Sequence, residues 1–286
     1  TVKPGMKQGW FGNAYGGYGS KDRYEGNAMV NRFVNNDQIT FMGGANNTNN
    51  MGFSDLASTM FSGMGGGGGR RGGFGAGSGI TSSGNAGLNF SKEFKPDKLT
   101  LGGNTRYSHS DNDARSKSDR QNILPGDSSS YDNSEAMSRT KSDNFGVDFR
   151  LEWKPDTMTQ LIFRPSFSLS HSMNDNFSDA TTLDNERDTV NTNKSSNYSE
   201  SNGYNLNASI DFSRKLNNKG RVFSATLSGG NSDSYSDGMN RSDIVYFNQT
   251  DALKNSIIDQ RSRYDNKGFN YRAYVSWVEP IGHNNF

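Results

Sequence analysis

Three histidines are the residues of this chain that could bind a transition metal or carry a proton near neutral pH. His109 and His171 each lie where an alternating stretch of sequence gives way to a long polar segment, and His283 lies near the last residue. The first two could meet at one rim of a sheet and share a metal ion. Two solvated histidines explain the same pattern better, so no metal site is predicted.

Two acidic clusters offer the oxygen ligands that calcium prefers. They are Asp111-Asn112-Asp113 and Asp184-Asn185-Glu186, each inside a polar segment. Neither has the spacing of a defined calcium loop. No cofactor is therefore predicted, and calcium bound by these segments is left open.

Four charged residues occupy alternate positions in two neighbouring apolar stretches. They are Asp148, Arg150, Glu152 and Arg164. On adjacent antiparallel strands such side chains share one face, where opposite charges stabilise the pairing. In a β-barrel these four charges would face the lumen. We assign them a structural role there in preference to contact with a ligand. No nucleophile with a base and no pair of acids can be argued from the sequence, so the chain is predicted not to be an enzyme.

A glycine-rich run at 63–79 could suggest a phosphate-binding or RNA-binding segment. It lacks the Gly-Lys-Ser/Thr ending of a phosphate-binding loop. Its single Arg70-Arg71-Gly72-Gly73 segment sits in a chain of net charge +1, which gives no sign of a nucleic-acid partner. A flexible loop tip is the better interpretation.

The composition is polar and rich in aromatic residues at once. Hydrophobic residues make up only 30% of the chain, yet 12% is aromatic, with 18 Phe and 12 Tyr. Disordered chains are poor in aromatic residues, so these large side chains must be buried somewhere. No stretch approaches the roughly 20 apolar residues of a membrane-spanning helix.

The dominant pattern is an alternation of apolar and polar residues with a period of two. In its clearest stretch every second residue is apolar: Phe145, Val147, Phe149, Leu151 and Trp153. A helix would scatter these side chains around its axis, whereas a strand places them on one face. The pattern recurs and predicts ten strands, near 9–19, 23–34, 38–46, 85–94, 98–109, 143–154, 158–172, 202–215, 220–233 and 266–279.

Short turns and long polar segments alternate between these strands. The long segments are roughly 47–84, 110–143, 173–201 and 234–266. Outer-membrane barrels have antiparallel strands with short periplasmic turns and long extracellular loops. The sequence therefore predicts an all-β fold, a partial transmembrane antiparallel β-barrel with about ten strands, in the outer membrane of a Gram-negative bacterium.

Aromatic residues mark both ends of the predicted strands. Three tryptophans map to the short-turn end: Trp10, Trp153 and Trp277. Tyrosines map to the other end: Tyr18, Tyr107 and Tyr204. Two aromatic girdles are expected at the two interfaces of a membrane barrel.

A soluble antiparallel sheet would produce the same alternation and is the alternative. Soluble barrels enclose their apolar face and have compact loops, and four connections of about 30 residues would be unusual for them. The membrane interpretation is therefore preferred. The last strand runs into a second apparent turn at 279–283, and an open strand edge cannot stay unpaired in lipid, so further strands are expected.

The first 55 residues resemble the plug-to-barrel junction of TonB-dependent receptor-like proteins of Bacteroidota. The resemblance is carried by Lys3-Pro4-Gly5-Met6-Lys7-Gln8-Gly9-Trp10-Phe11-Gly12-Asn13-Ala14-Tyr15-Gly16-Gly17-Tyr18-Gly19, Asp22-Arg23-Tyr24, Asn31-Arg32-Phe33, Asn46-Asn47-Thr48-Asn49-Asn50-Met51-Gly52-Phe53-Ser54 and, further along, Phe149-Arg150-Leu151-Glu152-Trp153-Lys154-Pro155. It implies that residues 1–8 end a plug domain or its linker. Residues 9–286 would then be the N-terminal portion of a barrel of about 22 strands, truncated at its C-terminal end.

The resemblance also implies a function. It implies uptake of a nutrient ligand, coupled to the TonB system and gated by the plug domain, in contact with outer-membrane lipid. The alternative is a receptor-like barrel that serves as a structural or partner-binding subunit of an outer-membrane assembly or surface-export complex. Its partners would be surface lipoproteins or other outer-membrane subunits.

Overall fold

A computed structural model describes residues 8–49, 79–123, 129–218, 220–247 and 255–280. These residues form one ten-stranded antiparallel sheet in which every strand pairs with the next one along the chain. The strands are β1 (Gln8–Tyr18), β2 (Tyr24–Val34), β3 (Asp37–Asn46), β4 (Ile80–Lys95), β5 (Leu99–Ile123), β6 (Ser129–Trp153), β7 (Thr159–Leu183), β8 (Thr189–Lys215), β9 (Val222–Tyr246) and β10 (Asn255–Val278).

The predicted all-β antiparallel fold is confirmed, and each of the ten predicted strands corresponds to an observed one. The agreement is closest at the short turns, where turn chemistry is legible in the sequence. Asn35 and Asp97 adopt the left-handed conformation there, with φ of 56° and 57°, which Asn and Asp tolerate better than most residues. The described residues include no helix long and apolar enough to span a membrane.

The long connections differ from the prediction. Where loops are predicted over 110–143, 173–201 and 234–266, β5 to β10 continue as paired strands of 24 to 27 residues. The predicted loop over 47–84 lies largely outside the described residues. The polar continuations are here called the distal segments: 109–123, 129–143, 171–183, 189–202, 235–246 and 255–265.

The physical reason for this error is composition. Ser, Asn and Asp are depleted in strands, so a polar run without alternation is typical of a loop. In the distal segments the backbone ladder continues regardless, and polar side chains bond across it. Thr140 donates to the Asn174 side chain at 3.1 Å, and the hydroxyls of Ser178 and Ser195 lie 2.8 Å apart.

A proline inside a paired strand such as β7 favours a β-bulge, but none is observed at Pro165. The β6–β7 ladder pairs Asp148 with Ser166 and resumes with Leu151 and Phe163 in the same register. Proline lacks the N–H that the ladder needs. Pairing is therefore lost locally, and the register on either side stays unchanged.

The register assigns every strand residue to one of two faces, because direct cross-strand partners point to the same side. One row on the apolar face crosses all ten strands: Gly12, Val30, Phe41, Leu88, Thr105, Val147, Phe167, Leu206, Asn231 and Phe269. The adjacent row on the polar face is Phe11, Asn31, Thr40, Asn89, Asn104, Asp148, Ser166, Asn207, Gly230 and Asn270. Local alternation on single strands thus adds up to two chemically distinct surfaces.

Burial on these faces is the reverse of a soluble sheet. On the polar face, Asn31 is 2% exposed and Asn104 is 4% exposed. On the apolar face, Phe149 is 41%, Leu206 47% and Leu227 56% exposed. On β2 to β5 the polar face is therefore the more deeply buried one, and the apolar face is left open to its surroundings.

Gly103 shows how tightly the apolar face packs in places. A Cβ at this position would lie 2.7 Å from a ring carbon of Phe149 and 3.0 Å from one of Phe90, whose rings meet edge to face at 6.3 Å. We expect Gly103→Ala to lower the free energy of unfolding by about 1–3 kcal/mol through overpacking, measured by urea titration of the folded protein.

The matched control is Gly84→Ala, on the same face, where the nearest heavy atom to a new Cβ is 3.9 Å away. This change should cost little. Equal effects of the two substitutions would contradict the packing described for Gly103.

Candidate functional site

The apolar side chains form a band that ends where the distal segments begin. On β6 it runs from Phe145 to Trp153, about 26 Å along the strand. The next row toward the distal segments contains His109, Asp143 and His171 as direct partners. Beyond that row the same face carries charged side chains, including Asp111, Arg115, Lys117, Glu135, Arg139, Lys141, Asp175, Asp179, Lys194, Asp237, Arg241, Asp243, Arg261 and Arg263.

The six predicted girdle residues all lie on the apolar face. Trp10, Trp153 and Trp277 lie at its short-turn boundary, with exposed fractions from 47% to 69%. The three tyrosines lie at its opposite boundary: Tyr18, Tyr107 and Tyr204. The structure thus places them at two edges of one band; a role at a membrane interface stays a prediction.

The three tryptophans also show that the strands are tilted relative to the band. Successive cross-strand partners lead from Trp10 to Phe149 on β6 and, in the same register, to Tyr271 on β10. Trp153 and Trp277 lie progressively nearer the short turns than these partners. Across nine strand spacings the displacement is about 20 Å, a tilt of about 25°.

The four predicted lumen-facing charges all lie on the polar face. Asp148 accepts a hydrogen bond from Arg106 at 2.8 Å, and Arg164 is paired with Asp211 across the β7–β8 ladder. Arg150 pairs with Glu152 on its own strand at 3.1 Å. The structure therefore gives each charge an opposite partner, as a wall-stabilising role requires, while their exposure to a lumen stays a prediction.

Glu152 is the centre of a larger group at the short-turn end of the polar face. Besides Arg150, it accepts from Lys154 at 2.8 Å and from the Gln160 amide at 2.8 Å. Asp211 in turn accepts from Thr226 at 2.8 Å. Sequence reasoning missed Arg106, Asp211 and Gln160 as partners because they come from strands other than those of the residues they contact.

A row of serines crosses the polar face, nearer the distal segments than these charges. Six successive strands, β4 to β9, place a serine at the same level: Ser83, Ser110, Ser142, Ser172, Ser201 and Ser236. The hydroxyls of Ser201 and Ser236 lie 2.8 Å apart. Each serine is unremarkable in the sequence, and only the register brings them together.

The two described histidines, His109 and His171, do not meet, and His283 lies outside the described residues. Asp143 lies between them in its row and accepts from Tyr107 at 2.6 Å and contacts His109 Nδ1 at 2.8 Å. His171 Nδ1 contacts the Asn202 side chain at 2.8 Å instead. Within the described residues no group of three or more His, Asp or Glu side chains is placed to hold a metal ion.

The acidic clusters have structural partners. Asp184 accepts hydrogen bonds from the backbone amides of Glu186 and Asp188, both at 2.9 Å, and so closes the β7–β8 turn. Asp111 pairs with Arg139 across the β5–β6 ladder. Calcium binding at these clusters stays a prediction.

Comparison with known proteins adds little. No protein-family model and no curated protein matches the chain. A similar solved structure is the copper transporter OprC, with a TM-score of 0.22 and 6% identity over 93% of this chain and 58% of that chain. The ferric yersiniabactin uptake receptor FyuA from Yersinia pestis has a TM-score of 0.21 and 9% identity over 93% of this chain and 44% of that chain. The ferric-catecholate import receptor Fiu from E. coli K12 has a TM-score of 0.20 and 8% identity over 95% of this chain and 64% of that chain. The chain spans 44% to 64% of their lengths. Scores this low carry no argument about the function of this chain.

The ion pair between Asp111 and Arg139 makes the distal segments sensitive to acid. Two guanidinium hydrogen bonds, at 3.0 and 2.7 Å, hold the pKa of Asp111 below its ordinary value. A carboxyl with a lowered pKa stabilises the fold above its unfolded pKa, about 3.9. That contribution is lost as the pH falls through the folded pKa.

We expect Asp111→Asn to lower the free energy of unfolding by about 0.5–1 kcal/mol at pH 7, because the pair is partly solvated. The difference from the unchanged protein should fade as the pH falls below about 4. Urea titrations at a series of pH values measure both effects. Asp113→Asn is the control, since Asp113 is more exposed and lies 3.9 Å from Arg115; a pH-independent loss at Asp111 would contradict this account.

Proposed function

We propose that this chain is a section of the wall of an outer-membrane β-barrel, with its apolar face toward lipid and its polar face toward the lumen. The observation that carries this proposal is the inverted burial: exposed apolar side chains on one face and enclosed amides and hydroxyls on the other. Exposed apolar areas of this extent on a soluble protein would be a strong liability for association.

The dimensions of the band support the proposal. The apolar stretch of about 26 Å along β6, tilted by about 25°, spans close to 24 Å, and membrane barrels present an apolar band about 25 Å tall. Tryptophans bound it on one side and tyrosines on the other. Past the band, the distal segments carry charged side chains on one face and hydroxyls and amides on the other. Hydrophilic side chains on both faces are expected where a sheet has water on both sides.

A pair of adjacent residues on β8 tests which face meets lipid. Leu206 and Asn207 are both exposed but lie on opposite faces. We expect Leu206→Arg to make folding into phospholipid vesicles less favourable by about 1–3 kcal/mol, because Leu206 lies about 7 Å inside the Tyr204 edge of the band, between the bilayer centre and the interface. Asn207→Arg should cost much less, because its side chain would reach the water-filled lumen.

Heat-modifiable migration on gels gives the folded fraction in vesicles for both variants. Similar losses for the two would overturn the assignment of faces. Recovery of the full-length protein from the soluble periplasmic fraction would overturn the membrane proposal itself.

We further propose that the barrel takes up a nutrient ligand through the TonB system. The proposal is motivated by the resemblance of the first 55 residues to the plug-to-barrel junction of TonB-dependent receptor-like proteins. A polar face with paired charges near the short turns and uncharged hydroxyls nearer the distal segments is compatible with the passage of a polar ligand. The long distal segments would stand outside the cell, where a ligand is first met. Ligand identity is not part of this proposal.

Coupling to TonB gives the uptake proposal a direct test. We expect the full-length protein, in detergent, to retain the purified C-terminal domain of TonB from the same organism. As a control, the protein shortened to begin at Gln8, and so without the plug domain that the resemblance implies, should retain none. No retention by the unaltered protein would overturn energy-coupled uptake and favour a structural or partner-binding subunit, for which the two-sided polar surface of the distal segments is suited.

A further inference from the structure

Cationic side chains follow the tryptophans along the short-turn boundary of the apolar face. Arg32 is the direct cross-strand partner of Trp10, and its guanidinium carbon lies 5.3 Å from the centre of the indole ring. At the other end of the sheet, Arg214 and Trp277 are both direct partners of Phe223. Each terminal tryptophan thus has an arginine at its own level of the band.

Lys92 lies between these two arginines on the same face. Its partner across the β4–β5 ladder is Leu101, one row nearer the short turns than the row of Trp10 and Arg32. Its ammonium group lies 5.7 Å from the ring centre of Phe94. From β2 to β8, Arg32, Lys92 and Arg214 lie progressively nearer the short turns, as the three tryptophans do from β1 to β10. Because the strands are tilted, residues on this diagonal share one depth in the band. We call these three residues the basic belt.

Cations outnumber carboxylates at this boundary. Among the described strand residues on this face near the short turns, Arg32, Lys92, Lys95 and Arg214 are cationic, and Asp37 is acidic. Just past the end of β10, Glu279 accepts a hydrogen bond from the Trp277 indole at 3.1 Å and pairs with Arg221. Asp37 pairs with Lys92 at 3.2 Å. No described carboxylate lies within 4.0 Å of the guanidinium nitrogens of Arg32 or Arg214.

The distal boundary of the same face behaves differently. There, cations are matched by carboxylates: Arg139 with Asp111 at 2.7 Å, and Arg261 with Asp237. Exposed ion pairs of this kind are common on surfaces in water, and their charges need no further partner. An excess of cations over carboxylates beside tryptophans, at the edge of an apolar band, has the chemistry of a lipid headgroup contact.

We propose that the basic belt binds the phosphate groups of anionic phospholipids in the leaflet at the short-turn end. The proposal rests on the membrane orientation given above. Long basic side chains at the end of an apolar band extend their charged ends to the headgroup level, and each cation near an anionic surface adds to the attraction. The belt would thereby fix the depth and tilt of the wall and enrich phosphatidylglycerol around it.

Lipid retention tests this inference. The full-length protein is folded into vesicles of phosphatidylethanolamine with a minor fraction of phosphatidylglycerol, extracted in mild detergent, and its bound lipids are counted by native mass spectrometry. We expect the ratio of bound phosphatidylglycerol to phosphatidylethanolamine to exceed that of the vesicles at least about twofold. The triple variant Arg32→Gln, Lys92→Gln, Arg214→Gln should return the ratio to that of the vesicles.

The matched control removes three cations from the same face beyond the band: Arg115→Gln, Lys194→Gln, Arg241→Gln. It should keep the enrichment, because these side chains lie in the distal segments. Equal ratios in the unaltered protein and the basic-belt variant would overturn the inference. A protein that does not float with vesicles at all would instead overturn the membrane proposal on which it rests.

Discussion

The register of the cross-strand ladder is the constraint on which the rest of this structure depends. Side chains alternate with a period of two, so a shift of one residue on any strand would exchange its two faces. With the observed register, Val147 and Leu206 belong to one row of apolar side chains, and Asp148 and Asn207 belong to the polar row beside it. The short turns between β2 and β3, β4 and β5, and β6 and β7 hold that register at one end of the sheet.

The two faces divide the physical roles. The polar face pairs its charges internally, as in Arg106–Asp148 and Arg164–Asp211, since an unpaired charge there would be costly. The exposed apolar face has no covering layer among the described residues and requires an apolar medium. In the proposed orientation a lipid bilayer would cover the apolar face, and the polar face would line a water-filled lumen.

The band edges give the wall an orientation. Tryptophans and the basic belt lie at the short-turn end, while tyrosines and then balanced ion pairs lie at the distal end. These two boundaries differ in charge balance as well as in aromatic type. The sheet is therefore asymmetric in two directions: its two ends differ along the strands, and its two faces differ across the sheet. Both asymmetries bear on how it would sit in an outer membrane with two unlike leaflets.

The sequence by itself determined the local features: ten strands, their short-turn ends, and the alternation that separates Phe149 from Arg150. These depend on neighbours one or two residues apart. It failed over the distal segments, because strand pairing there depends on a partner strand and leaves no apolar alternation. Only the tertiary structure decided which residues share a level: the serine row, the partners Arg106 and Asp211, and the basic belt beside the tryptophans. Such alignments arise from the summed register of up to nine ladders, a long-range property that no single stretch of sequence contains.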